Sequence, residues 1–255
     1  MDFSKLLGLP LLASERGKDV DALIIYVHLL MGALFVIWLG FFVYVLFKFN
    51  AKRHPQASYT GVKSHVSTYL EGGVALVEAL LLIAFAIPFW AKVVDKMPAP
   101  EKSTVVRMIA QQFQWNARYA GVDGVFGKQD RKLVNDKNNL GLDKSDPKGK
   151  DDFISINEMY VPVNKDVIVN LTSLDVIHCF KVLPLRVTQD AMPGMMIPVH
   201  FKPTVEGHFQ IMCAQLCGNS HAIMKGFLNV VKQPEYDDWV KKRSATGGGG
   251  AASFD

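Results

Sequence analysis

The chain has 255 residues, a hydrophobic fraction of 49%, three cysteines and a formal net charge of +4 at neutral pH. That length allows one or two domains with a real core. The mild charge, with no basic stripe and no basic run interleaved with aromatics, excludes a nucleic-acid-binding reading, and an odd cysteine count excludes a framework built from disulfides alone.

Residues 1–21 open with Lys5 and a short apolar run, Leu6 to Ala13, followed by polar Ser14 to Asp21. The run is short for a signal peptide and lacks a small-residue cleavage site, so it reads as a retained segment on a membrane surface. Residues 22–47 contain no Lys, Arg, Asp or Glu. A helix over them, rising about 1.5 Å per residue, exceeds a hydrocarbon core of about 30 Å and spans with tilt. His28 lies near its start, where the interface solvates an imidazole, and reads as structural. A second span covers residues 72–91 and ends Ala-Ile-Pro-Phe-Trp, with Trp90 as interface anchor.

Between the spans stand Lys48, Lys52, Arg53 and Lys63, with Glu71 the only acid. The positive-inside rule makes this loop cytoplasmic and puts both termini, and everything after residue 91, outside. Residues 1–97 thus read as a membrane anchor. Glu71 and Glu78 are seven residues apart and share one helix face. Glu71 reads as a helix-start acid favoured by the macrodipole. Glu78, a carboxyl within the bilayer, must be protonated, paired or turned to a protein interior.

A linker with Pro98 and Pro100 leaves the membrane, and residues 98–243 read as the external domain. From Thr104 to Tyr119 the pattern is β-branched and alternating, the signature of one long strand. Its aromatics Phe113 and Trp115 also read as a plain half-buried strand face. Residues 121–152 balance acids and bases among Gly and Asn, a solvated surface insertion. The β pattern resumes over residues 153–156, 166–172, 176–182, 197–201, 208–212 and 226–231. Short strands at this spacing indicate a β-sandwich. A short helix over residues 235–243 precedes an Ala-Gly-rich tail, residues 244–255, of disordered composition.

The most informative stretch is Cys213-Ala-Gln-Leu-Cys-Gly-Asn-Ser-His-Ala-Ile-Met224. Cys213, Cys217, His221 and Met224 are soft or borderline donors suited to copper. A single blue copper needs one Cys, so this loop has one to spare, and two thiolates four residues apart can bridge two ions. His178, in Asp-Val-Ile-His-Cys-Phe, can supply a second imidazole. A Cys213–Cys217 disulfide, or structural zinc held with His178 and His221, are the alternatives; neither explains Met224. Cys179 points to the opposite strand face from His178 and reads as a packing residue. No Cys-x-x-Cys-His follows, so no haem c motif is present in the sequence.

This loop, with the upstream His, resembles the dinuclear copper (CuA) loop of cytochrome c oxidase subunit II. The resemblance implies a two-helix transmembrane hairpin followed by an all-β, cupredoxin-like sandwich in a bacterial inner membrane, with the copper domain on the periplasmic side. It implies copper held by His178, Cys213, the backbone carbonyl of Gln215, Cys217, His221 and Met224. The family usually has Glu at 215, which also reaches a magnesium ion shared with subunit I. Gln keeps the carbonyl and loses the anion, so that magnesium site becomes doubtful. Glu71 falls on the glutamate at the entrance of the family's proton path, with Glu78 to face subunit I. Phe113 falls on the family's electron-entry Trp and Trp115 on the second aromatic. Met195 stands where the family commonly has Arg, which weakens a haem-propionate contact there. The implied activity is that of an oxidoreductase subunit. It takes electrons from a c-type cytochrome and passes them to haem in subunit I, where oxygen is reduced to water with proton pumping. The implied partners are subunit I, further oxidase subunits and, from the style of the insertion, alternative complex III. A quinol oxidase subunit II would lack the copper ligands, and a copper carrier would need a site that releases its metal.

Overall fold

A computed structural model of the chain describes residues 3–56, 59–61, 64–94, 96–136 and 138–246. Lys63 and most of the C-terminal tail lie outside the described residues. Contacts divide the chain into two units, Leu23–Met97 and a second that joins Met1–Ala22 to Pro98–Asp255.

The first unit is helical. The single turn α1 (Phe3–Leu6) and the start of α2 belong to the second unit; α2 (Gly17–Lys48) runs 32 residues and enters the first unit at Leu23. A second long helix is assembled from α3 (Val66–Leu81), a π-helical turn (Leu82–Ala86) and α4 (Ile87–Val94). Both long helices have the length and apolar composition to cross a membrane, and their most apolar windows are 0% buried within the chain. Phe35, Trp38, Phe42, Leu76, Ile83 and Phe85 are all exposed. A helix apolar all round is stable in lipid or against other helices. Both helices outrun the apolar stretches that announce them, because Lys18, Asp19 and Asp21 at one start, and Ser67 and Thr68 at the other, decorate a helix without breaking it. The π turn lies just before Pro88, whose ring would otherwise crowd the carbonyl four residues back, and a widened turn relieves that clash.

The second unit is a sandwich of two five-stranded sheets. The strands are β1 (Thr104–Gln111), β2 (Gln114–Tyr119), β3 (Phe153–Ile156), β4 (Glu158–Pro162), β5 (Val167–Ser173), β6 (His178–Val182), β7 (Val187–Ala191), β8 (Ile197–Phe201), β9 (Gly207–Cys213) and β10 (Lys225–Val231). One sheet has the order β3-β2-β1-β5-β8 and the other β4-β10-β9-β6-β7. Alternate residues point inward: Val106, Met108 and Ala110 with Val167, Val169 and Leu171 from one sheet meet Phe180, Val182, Ile211, Leu228 and Val230 from the other in one buried cluster. α5 (Gln233–Ala245) closes one flank through Trp239, which stacks on Tyr160 at 4.4 Å and meets Tyr119 edge-on at 5.0 Å.

Three features depart from the sequence reading. The single long strand expected over residues 104–119 is a hairpin, β1 and β2 paired antiparallel with Gln111 opposite Gln114. The two-residue turn Gln112–Phe113 carries none of the Gly, Asn or Asp that usually announce one. The insertion is anchored as well as solvated. Leu140 and Leu142 bury against Ile109 and Ile154, and Arg118, fully buried, donates through Nε to Asp152 Oδ2 at 3.1 Å. Finally, the segment before α2 belongs to the β unit. Ala13 and Ser14 are buried, Ser14 bridges to Pro203, and Ala13 N donates to Pro184 O at 2.8 Å. Arg186 Nε and Nη2 donate to Asp21 Oδ1 and Oδ2 at 2.7 and 2.9 Å. The strap's polar residues, read from sequence as membrane-surface, satisfy backbone groups at one end of the sandwich.

Candidate metal centre

The donors converge because adjacent strands of one sheet carry them. β9 ends at Cys213 and β10 begins just after Met224, and Cys213 N donates to Met224 O at 3.3 Å, so the loop's two ends are tied together. β6 lies on the other side of β9, with Phe180 opposite Cys213. His178, two residues from Phe180, shares its face of the strand. Ala214 N donates to Cys179 O at 3.0 Å, which holds the loop against the start of β6.

His178, Cys213 and Cys217 are buried, with ligand atoms within 4.8 Å of one another. Cys213 Sγ and Cys217 Sγ are 3.7 Å apart, and all three cysteines are free. A disulfide needs about 2.05 Å, so the pair is not bridged. His178 Nδ1 lies 3.8 Å from Cys213 Sγ, and His221 Nδ1 lies 3.6 Å from Cys217 Sγ. Met224 Sδ, itself buried, is 3.7 Å from Cys217 Sγ. The Gln215 carbonyl sits 3.1 Å from Cys213 Sγ. These short contacts link all six expected donors into one cluster.

The separations test whether a metal fits. Two sulfurs bound to one tetrahedral ion at about 2.3 Å stand about 3.8 Å apart, and a sulfur and an imidazole nitrogen about 3.5 Å apart. The observed contacts match both, so the side chains need little movement to close on metal. Burial, and then the neighbouring Cys213, push the Cys217 thiol up to about 11. Without a cation the loop therefore holds a protonated thiol at neutral pH, and metal binding must displace the proton. Met224 completes the set with a thioether, a soft donor that favours copper over a plain zinc site.

Two residues to which the sequence reading gave no part in the metal site support the cluster. Asp175 Oδ1 accepts a hydrogen bond from His178 Nε2 at 2.8 Å, which holds the ring with Nδ1 toward the thiols. Burial alone would raise the Asp175 carboxyl. Hydrogen bonds from Gln112 N, His178 and Val176 N outweigh it and hold the carboxyl below its usual range. Gln112 Nε2 donates to Cys217 O at 2.7 Å. A carboxylate three residues before a strand-borne His is a signal sequence reasoning could have used; Gln112 offers none.

The remaining candidates fall elsewhere. Trp115 is 1% exposed, its ring 6.2 Å from His178 and 5.8 Å from Phe180, so it packs behind the ligand and is walled off from any partner. Phe113 is partly buried and packs against the main core. Glu71 and Glu78 are both on α3, exposed, in the helical unit. Met195 is exposed and follows Gly194, whose φ is +75°. His28 Nδ1 contacts its own helix at Ile24 O, 2.7 Å away. His200 is buried with Arg16 Nη1 2.7 Å from its Nε2, and His208 stacks on Phe227. Cys179 is buried; burial first, then Asp190, push its thiol up to about 12, which suits an inert packing residue.

Residues 104–231 match the family model described as cytochrome c oxidase subunit II, periplasmic domain. The alternative cytochrome c oxidase subunit 2 of Bradyrhizobium diazoefficiens is 32% identical over 218 residues, 85% of this chain and 77% of that protein. Cytochrome c oxidase subunit 2 of Cereibacter sphaeroides is 27% identical over 243 residues, 90% and 78% of the two chains. A crystal structure of the periplasmic domain of subunit II of cytochrome oxidase from Bradyrhizobium japonicum is 27% identical and covers 60% of this chain and 99% of its own, with a TM-score of 0.42. The His-Cys-Cys cluster lies within the matched domain and indicates a copper centre. Two apolar helices followed by a domain of the periplasmic family suit a membrane protein with a periplasmic domain. Joined end to end by these alignments, the strands, the donor loop and the helices place the chain in the family of subunit II of cytochrome c oxidase, components of haem-copper oxidases.

Proposed function

We propose that the β unit accepts electrons one at a time from a c-type cytochrome at a dinuclear copper centre and hands them to haem in subunit I. Reduction of oxygen to water and proton pumping take place beyond this chain. The observation that carries the reading is the contact of all six donors, His178, Cys213, the Gln215 carbonyl, Cys217, His221 and Met224, within one cluster. Bound by these residues, a copper pair would supply a one-electron acceptor and donor, with Cys213 and Cys217 as its thiolate ligands.

The chain's own residues supply the rest. One sheet fixes His178 and Cys213 on its neighbouring strands β6 and β9, so little side-chain movement accompanies each transfer. Asp175 orients His178 through Nε2, and Trp115 covers the buried side of that imidazole and excludes water. Phe113, at the turn beside Gly218, is the electron-entry side chain, with Trp115 behind the ligand as its relay. Gln215 offers a carbonyl and no anion, so a shared magnesium ion is not expected at this position. The helical unit is a two-pass hairpin in a bacterial inner membrane with the copper domain on the periplasmic side. Residues 1–97 include this anchor, and residues 98–243 hold the electron-transfer domain. Glu71 and Glu78 line one face of α3 at the cytoplasmic entry of a proton path that subunit I continues. Subunit I, further oxidase subunits and alternative complex III are the expected partners.

The test is the metal content and paramagnetic spectrum of the full chain in detergent. Two coppers per chain, a purple colour and one unpaired electron coupled to two copper nuclei are expected. One copper per chain, or zinc retained in preference, refutes the reading.

A further inference from the structure

The donors come from two segments whose backbones are tied at Ala214, where N donates to Cys179 O at 3.0 Å, three residues before Cys217. His178 opens β6, while Cys217 stands in the middle of an exposed loop, with Gln215, Leu216, Gly218 and Asn219 all open to solvent. The thiol of Cys217 is buried, but a side chain alone does not fix the peptide that carries it. One residue of the opposite sheet touches both segments. Gln112, in the turn between β1 and β2, donates from Nε2 to Cys217 O at 2.7 Å. Its backbone N donates to Asp175 Oδ2 at 2.6 Å. The other oxygen of that carboxylate holds His178 Nε2 at 2.8 Å. A continuous hydrogen-bonded path therefore runs from the Cys217 peptide through Gln112 and Asp175 to His178, and it does not pass through the metal donors themselves.

The loop is shaped to make this contact. Gly218 has φ +139°, and a Cβ placed there would lie 2.8 Å from Gln112 Nε2 and 3.1 Å from Phe113 Cζ. A larger residue would push the Gln112 amide off the loop and press on the Phe113 ring. Glycine at 218 and the donor at 112 are two halves of one close approach. Gln112 is itself exposed, so burying apolar surface does not account for its place.

We infer that Gln112 is a positioning residue of the metal centre, a clamp that sets Cys217 relative to His178 and so fixes the thiol pair for two ions. The inference rests on the dinuclear copper reading. Groups that orient metal ligands from behind typically alter affinity 10–100-fold.

The experiment compares Gln112→Met, which keeps length and removes the donor, with the parent full chain in detergent. Copper retention against a chelator and the paramagnetic spectrum are measured on both. Gln112→Met should hold copper about 10–100-fold more weakly, and its spectrum should lose the even coupling to two nuclei. Gly218→Ala, which presses on the same contact from the loop side, should move both readouts in the same direction. If Gln112→Met keeps copper within twofold of the parent and an unchanged spectrum, the clamp is refuted, whatever happens to thermal stability. If Gln112→Met does not fold, a Gly218→Ala chain with the parent's affinity and spectrum refutes it. Failure of the underlying reading shows separately, in the parent, as a metal content other than two coppers.

Discussion

Replacing Asp21 by alanine should destabilise the β unit while leaving the metal centre intact. Arg186 is 5% exposed and Asp21 9% at their side chains, and the two form a bidentate pair at 2.7 and 2.9 Å. Removing one partner of a buried pair costs about 3–5 kcal/mol, because the other charge stays buried. Here Arg186 keeps the carbonyls of Pro10, Leu11 and Leu183 as acceptors at 2.8, 3.2 and 2.9 Å, so the cost should fall at the low end, about 3 kcal/mol. For a unit of this size each kcal/mol moves Tm by about 2–4 °C, which gives a drop of about 6–12 °C. Asp21→Asn, which keeps an acceptor, should fall between. Arg186 lies past the end of β6 opposite His178. Five residues at about 3.3 Å each set the pair about 17 Å from the ligand, and copper content should not change. Thermal unfolding of the full chain by scanning fluorimetry, with metal analysis of the same samples, decides it. A Tm change below about 2 °C would show that the strap adds nothing to the β unit. Copper loss from a still-folded protein would show that the Asp21–Arg186 pair acts on the metal site. A fragment beginning at residue 98 lacks the whole strap and should be less stable than Asp21→Ala.

Cys217→Ser should abolish the dinuclear site, since a hydroxyl does not bridge as a thiolate does. Met224→Leu should keep most of its copper with a shifted potential; equal copper content in the two variants would refute the assignment of roles. Glu71→Gln should slow oxygen reduction by the assembled oxidase and leave stopped-flow reduction of copper unchanged, with Glu71→Gln/Glu78→Gln more severe. Normal turnover in both would leave Glu71 an ordinary helix-start acid. Asp152→Ala strands the fully buried Arg118 and should cost about 3–5 kcal/mol. Denaturant unfolding at parent-like midpoint would mean that the insertion is not anchored through this pair.

What the sequence could reveal divides along how locally each feature is encoded. The donor loop is legible because four donors occur within twelve residues, and a charge-free run is enough to announce a long apolar helix. A strand that alternates regularly, such as β10, is legible for the same reason. Short β4 and polar β7 are not, because their strand character comes from pairing with β10 and β6 and not from their own pattern. The strap is invisible because Ser14 and Asp21 look solvent-seeking until Leu185 O and Arg186 are placed against them. The same holds at the metal centre. Asp175 and Gln112 are ordinary polar residues in sequence, separated by 63 positions. They matter through a hairpin turn that no turn-forming residue marks. Ligand identity is thus written locally, whereas ligand geometry is written in long-range hydrogen bonds from the opposite sheet. A change at Gln112 can therefore disturb the centre while every donor remains in place.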